Sequence, residues 1–314
     1  MLCVNQGKET YATQEAHHAQ FYPVQAAALS VGLLTATPAG AIPAVNDVEI
    51  ELYHVFPVDS DPTRTPNVVT RTNSPSDNNF AAADGALGQL TFSTTILNLS
   101  FTAANSVFNN INPKPNQFTG GQGPMTGAEV QFNVHFNTPL ALTPGDHIFF
   151  RPEVDFGSAA DFLWLSAPKP IVPPGTPFAN PAQDLQSWTR NDGAGALAPD
   201  WSRIGTDITG QGPFNATFEL FSATGGSPFF STGNPDGLMA TLSRTASAGK
   251  LETETADDFI VPTGITSLSD ATFIGLVVLP APEPASLSLL GAALTGMGFL
   301  GWRRGRRNPP SARI

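Results

Sequence analysis

The stretch "VEIELYHVF", residues 48 to 56, alternates between two kinds of side chain. Val48, Ile50, Leu52 and Phe56 fall on one parity, and Glu49, Glu51 and Tyr53 on the other. A period of two marks a strand with one face on a core and the other toward water. His54 shares the apolar parity. No second histidine or carboxylate stands at ligand spacing on that face, so it reads as a core or edge histidine rather than a metal ligand. "EVQFNVHF", residues 129 to 136, repeats the pattern, with Val130, Phe132, Val134 and Phe136 inward and Gln131, Asn133 and His135 outward. Further strands are predicted at 90–101, 147–154, 161–167, 215–221 and 271–279. Between them lie "NPKPNQFTGGQGP", "APKPIVPPGTP" and "TGNPDG", whose Pro and Gly mark turns and long loops. Many short strands without intervening helical periodicity predict an all-β body, an antiparallel β-sandwich of jelly-roll-like type. It is expected over 28–279 as one domain, after a poorly ordered segment at 1–27.

The pattern changes after residue 284. Residues 285 to 302 carry no charge and no polar face. As a helix at ~1.5 Å per residue, such a run spans roughly 27 Å, enough for a bilayer core. Trp302 lies where an interfacial aromatic belongs, and Arg303, Arg304, Arg306 and Arg307 follow it as a basic stop that stays cytoplasmic. Ala292 and Gly296 suit close helix packing in lipid. The competing reading is a C-terminal core helix with a basic end, which the missing polar face disfavours. Pro282 and Pro284 bracket Glu283 and hold it extended just before the apolar run. The expected layout is therefore a 280–284 linker, a single transmembrane helix at 285–302, and a basic cytoplasmic tail at 303–314.

Composition agrees with strands and turns. Only 13% of the 314 residues are charged, Gly and Pro number 29 each, and Phe numbers 22. The formal net charge is -11. Five of the fifteen basic residues follow Trp302 and no acidic one does, so the remainder is more acidic still. Such a body repels phosphate backbones and anionic surfaces, which argues against a nucleic-acid partner. Cys3 is the only cysteine, which excludes an intramolecular disulfide and a thiolate metal cluster.

Pro282-Glu283-Pro284, the apolar run and the Arg cluster together resemble the PEP-CTERM sorting signal of Gram-negative bacteria, which that family pairs with the membrane protease-transpeptidase exosortase. The resemblance covers about 26 residues. It implies that the helix is a temporary handle. The body would be exported, held at the inner membrane, cut near Pro282 to Pro284, and passed to the cell surface or an extracellular polymer matrix. Exosortase and the inner membrane are the implied partners, and the chain is their substrate, not an enzyme.

The body also resembles a recurring module attached to such signals, in the pieces "GNPDGLMATLSRTASAGKLETETADDF" and "VEIELYHVFPVDSDPTRTPNVVTRTNSPSD". In the proteins it is similar to, the first piece precedes the second; here the order is reversed. That implies either a circular permutation or a tandem array lacking its outer parts. In either case the strands around 256–277 are expected to pack into the same sandwich as 48–56. The N-terminal region holds Lys8, Glu9 and Glu15 without a basic leader region. "AAALSVGLLTATPAGA", 26 to 41, reads as a first strand or as an export h-region ending at Ala39-Gly40-Ala41.

Catalytic chemistry is thinly signalled. "TGGQGP", 119 to 124, lacks the Lys and the following helix of a phosphate loop and reads as a turn. Adjacent His17 and His18 point apart and fail metal geometry. Asp59, Asp61, Asp236, Asp257 and Asp258 match no calcium loop and read as loop caps. Glu129, Glu153, Asp155 and Glu219 are the carboxylates that could converge for glycoside hydrolysis. Trp164, Trp188 and Trp201 could stack on sugar or fill the core, with Trp164 expected in the core. No catalytic, metal or cofactor residue is assigned. The leading expectation is a noncatalytic surface or matrix-associated β-sandwich. The alternatives are a carbohydrate-binding or carbohydrate-cleaving module acting on secreted polysaccharide, and an uncleaved membrane-anchored periplasmic domain.

Overall fold

The structure, a computed structural model, describes residues 41–60, 73–108, 118–168, 171–172, 186–191, 201–223, 225–246 and 250–280. All of them belong to one compact unit that begins at Gly40. The predicted N-terminal segment and all of 281–314 lie outside the described residues. That includes Pro282, Glu283 and Pro284, the 285–302 run with Ala292, Gly296 and Trp302, and the four arginines after it. Among the described residues no helix is long and apolar enough to cross a membrane.

The fold is all-β and is built from two sheets. The six-stranded sheet has the order β2 (Ala81–Asp84), β1 (Asp47–His54), β6 (His147–Asp155), β14 (Thr253–Ile260), β8 (Trp188–Asn191), β9 (Ser202–Arg203). The nine-stranded sheet centres on β15 (Ser267–Val278). One flank of β15 pairs with β5 (Met125–Ala141), which pairs with β3 (Leu90–Ala103). The other flank is shared. Phe218 to Phe221 of β11 (Phe218–Phe221) pair with Asp270 to Phe273, and β7 (Asp161–Ala167) then takes Gly275 to Val278. β12 (Phe230–Ser231) extends β11, while β10 (Asn215–Ala216), β13 (Met239–Leu242) and β4 (Asn105–Val107) extend the β7 branch. Among the described residues every pairing is antiparallel except β13 with β4, which departs from the wholly antiparallel expectation.

At the fork between the two branches, Thr217 replaces a ladder bond with its side chain. Its hydroxyl donates to Ile274 O (2.7 Å) and accepts from Ile274 N (3.2 Å), while its own N–H reaches Leu165 O (2.9 Å). The buried backbone of β15 therefore stays paired where its neighbour changes.

The inward parity of both patterned strands is the one expected. Val48, Ile50 and Leu52 from β1 meet Val130, Phe132, Val134 and Phe136 from β5 in one core between the sheets. Phe150 of β6 stacks on Phe218 of β11, with centroids 5.3 Å apart, and ties one sheet to the other. Trp164 is in this core, as expected, and its indole N–H donates to Thr217 O (2.8 Å). Gly275 has a packing reason: a Cβ there would lie 1.9 Å from the Phe162 ring, which packs edge-on against Phe132 and Phe273. β14 lies two places from β1 in one sheet and β15 lies in the other, so the strands around 256–277 share the sandwich with 48–56.

Candidate functional site

The face of β1 expected to meet water does so only in part. Tyr53 is 2% exposed, and Glu49 and Glu51 are part-buried. The register shows why. Glu49 lies opposite Glu153, Glu51 opposite Arg151, and Tyr53 opposite Phe149 on β6. Beyond β6, Glu254 of β14 faces Arg190 of β8, and Ala256 faces Trp188. The outer side of the six-stranded sheet thus carries an ionic layer of glutamates around two arginines, beside an apolar patch of Tyr53, Phe149, Trp188, Trp201 and Ala256.

Arg151 is at the centre, 1% exposed. Its guanidinium pairs with Glu153 (2.7 Å), Glu252 (2.8 Å), Glu254 (3.2 Å) and Glu51. Arg190 binds both oxygens of Glu254 and donates to Asp77 O (3.0 Å) and to the Tyr53 hydroxyl (3.3 Å). Its guanidinium also lies 4.6 Å from the Trp201 ring centroid and 5.5 Å from that of Tyr53. Trp201 donates to Ser76 O (3.0 Å), so the loop at 76–77 holds both the indole and the guanidinium.

Glu153 has no solvent exposure. One oxygen sits on Arg151, and the other has no hydrogen-bond partner among the described residues. Burial drives its pKa up to about 8 against the pull of Arg151, and the charges of Glu252, Glu49 and Glu51 push the same way. Glu49 rises to about 7, again chiefly by burial. At neutral pH Glu153 is therefore held mainly as the neutral acid. General acids share that property, yet Glu153 is closed off from any substrate in this conformation.

Of the four carboxylates that could converge, only Glu153 belongs to this layer. Glu129 is on β5 of the other sheet. Asp155 accepts from Asn46 Nδ2 and Gly157 N at the end of β6, and Glu219 accepts from Ser231 and Thr272 hydroxyls on the nine-stranded sheet. Trp164, Trp188 and Trp201 are all buried and form no exposed platform. Arg151, Arg190, Glu252 and Glu254 were not singled out in the sequence. The available signal was the shared parity of Arg151 and Glu153 with the Glu49, Glu51 face.

The aspartates divide. Asp236 caps a loop, accepting from Ser166 Oγ (2.5 Å) and Leu238 N (2.9 Å), and Asp59 contacts the His54 ring. Asp61 lies outside the described residues. Asp257 and Asp258 are not in a loop. Both lie on β14, where Asp257 accepts from Ala216 N (2.5 Å) and Asp258 pairs with His147 (2.8 Å). Burial, and then the neighbouring Asp258 charge, raise Asp257 well above the ordinary range. His54 stacks on Phe80, and His135 points outward to Asp270 (2.7 Å). His17 and His18 are outside the described residues. Among the described residues no group of three or more His, Cys, Asp or Glu is arranged to hold a metal ion.

The "TGGQGP" stretch is a turn clamped by Asn105. Its carboxamide donates to Gly120 O (2.9 Å) and accepts from Gly123 N (2.9 Å), and Gly120, Gly121 and Gly123 all have positive φ. At the end of β15, Val277 to Leu279 line an apolar groove of about 320 Å³ with Ala41 to Pro43, Leu99 and Thr126 to Ala128. The last described residue, Pro280, follows directly.

Fold and site together define a two-sheet, all-β body with a closed ionic layer on one outer face. In comparisons with known proteins the chain matches no family model, no curated protein and no solved structure.

Proposed function

We propose that the chain is a noncatalytic exported protein of the cell surface or extracellular matrix, delivered by a C-terminal PEP-CTERM-like signal that exosortase processes. The observation that carries the reading is the order of features just past the last described strand: Pro282-Glu283-Pro284, an uncharged run at 285–302, then Arg303, Arg304, Arg306 and Arg307. On this reading 285–302 spans the inner membrane as a helix with the body outside the cytoplasm, and Ala292, Gly296 and Trp302 serve its packing and interface.

Geometry at the end of β15 supports it. The last ladder pair of β15 is Val278 with Asp161. A cut within 282–284 removes no described strand. Before the cut, the tether continues from the central strand of the nine-stranded sheet, which β5, β7 and β11 all hold.

The test is intact mass and fractionation of the expressed chain in a host with exosortase, comparing wild type with Pro282→Ala/Glu283→Ala. The expected result is a species lacking the helix, outside the inner membrane, that vanishes in the variant. Full-length chain in the membrane, indifferent to the variant, would replace the proposal with the uncleaved anchored domain.

A further inference from the structure

The two sheets protect most of their edges by being short. β2 has four residues, β4 three, and β9, β10 and β12 two each. β3 is different. It has fourteen residues and, among the described residues, pairs with β5 alone. An edge strand presents a row of unpaired N–H and C=O groups, and length is what makes it a template for another chain.

The ladder between β3 and β5 is interrupted in its second half. Ile96 pairs with Val130 but Asn98 with Glu129, and Phe101 with Gly127, so β3 carries the extra residues. The Asn98 side chain also accepts from Ser100 N (2.9 Å). Bulges and side-chain capping blunt this half. The first half is regular: Leu90 to Ile96 oppose Phe136 to Val130 without a shift.

This regular segment, "LTFSTTI", has no charge, no Pro and no Gly. It is rich in β-branched and aromatic residues, a composition prone to strand addition. Thr91, Ser93, Thr94 and Thr95 are exposed, and Phe92 and Ile96 are half-buried. It also lies inside a longer uncharged stretch, since no charged residue occurs between Asp84 and Lys114.

We propose that this edge is a homodimer interface, in which Leu90–Ile96 pairs antiparallel with the same segment of a second copy about a two-fold axis at Ser93. That axis places Leu90 beside Ile96, Phe92 beside Thr94, Thr91 beside Thr95, and Ser93 beside itself. Each pair shares parity, so both faces of the joined sheet keep their character. Aliphatic, aromatic with β-branched, and Thr with Thr are the favourable cross-strand pairs, and no like charges oppose. Charge selects the same edge. Two copies at -11 repel, and the uncharged stretch is where they meet without setting carboxylate against carboxylate. A closed two-fold contact of this kind is isologous and stops at two copies. The inference does not depend on the sorting reading.

The experiment uses the full chain in mild detergent, in a Cys3→Ser background, with cysteine placed at one site at a time. Ser93→Cys brings the two thiols to a cross-strand pair, where Cα atoms are about 4.5–5.5 Å apart and a disulfide closes. Thr102→Cys is exposed as well, but the same axis separates its two copies by roughly 60 Å at ~3.3 Å per residue. The expected result is a dimer by sedimentation, oxidative cross-linking at 93 and not at 102, and a monomer for Ser93→Lys, which sets two ammonium groups face to face. A monomeric wild type, equal cross-linking at both sites, or a dimer that survives Ser93→Lys would overturn the proposal. The last of these is also what dimerisation through the apolar 285–302 run would produce.

Discussion

Glu153→Gln isolates one buried proton. The folded chain holds Glu153 at about 8, whereas an ordinary glutamate titrates near 4.5. Between those values the folded state binds a proton that the unfolded state has released. Stability therefore falls with rising pH across the window and is greatest below it. One such proton gives a slope approaching ~1.4 kcal/mol per pH unit, or roughly 3 kcal/mol lost between pH 5 and pH 8. Glu49, raised to about 7, and Asp257, raised well above the ordinary range, act with the same sign. Glutamine keeps the shape and offers a neutral amide where the protonated carboxyl sits. The variant should lose about one proton's worth of slope and be more stable than wild type at pH 8. Urea unfolding at several pH values, read by the fluorescence of Trp188 and Trp201 beside the ionic layer, measures it. A wild-type midpoint that rises from pH 5 to pH 8, or a Glu153→Gln chain with the wild-type slope, would refute the reasoning. Glu153 would then be an ionised partner of Arg151.

Two substitutions test the nine-stranded sheet. Thr217→Val removes the hydroxyl that serves both Ile274 N and Ile274 O, and leaving buried backbone groups unpaired costs ~1–3 kcal/mol each. The urea midpoint should drop accordingly, with Thr217→Ser recovering most of it. Gly275→Ala sets a methyl against the Phe162 ring and should cost about 1–3 kcal/mol or more by overpacking. Pairing it with Phe162→Leu in a double-mutant cycle should give a clearly non-additive, compensating term in thermal unfolding; additivity would mean that the ring is not what crowds the site.

How much of this was legible in the sequence depended on what each strand buries. In β1 and β5 apolar residues face the core and alternate with polar ones, and the inward set matches the sequence pattern except for Phe56, which lies in the turn past the end of β1 and is half-buried. β14 is the contrary case. "TETADDFI" has few apolar residues, yet Thr253 to Phe259 are all buried. Its polar groups are met by strands distant in sequence: Thr189 Oγ1 donates to Glu254 O, Thr255 Oγ1 to Leu242 O, and Asp257 accepts from Ala216 N. Periodicity registers hydrophobicity and cannot register a partner, so "ADDF" looked like loop. The outer face of β1 misled for the same reason. A solvated glutamate and one neutralised by Arg151 are identical letters.

That ionic layer has a consequence for how the fold is specified. A buried ion pair adds little net stability, because desolvation of the charges offsets most of their attraction. A one-residue slip of β1 against β6, however, would exchange the two faces of the strand. Glu49 and Glu51 would then enter the aromatic core around Phe132, Phe150 and Phe273, and Val48, Ile50 and Leu52 would be set against the Arg151 guanidinium. Unpaired charge in such a core costs several kcal/mol per group, and Arg151 would be left with fewer counter-ions. The glutamates therefore act chiefly by making the wrong register worse. The same logic sets β3 apart: Leu90 to Ile96 carries no charge that would make pairing with a second chain costly, the property on which the proposed dimer edge rests.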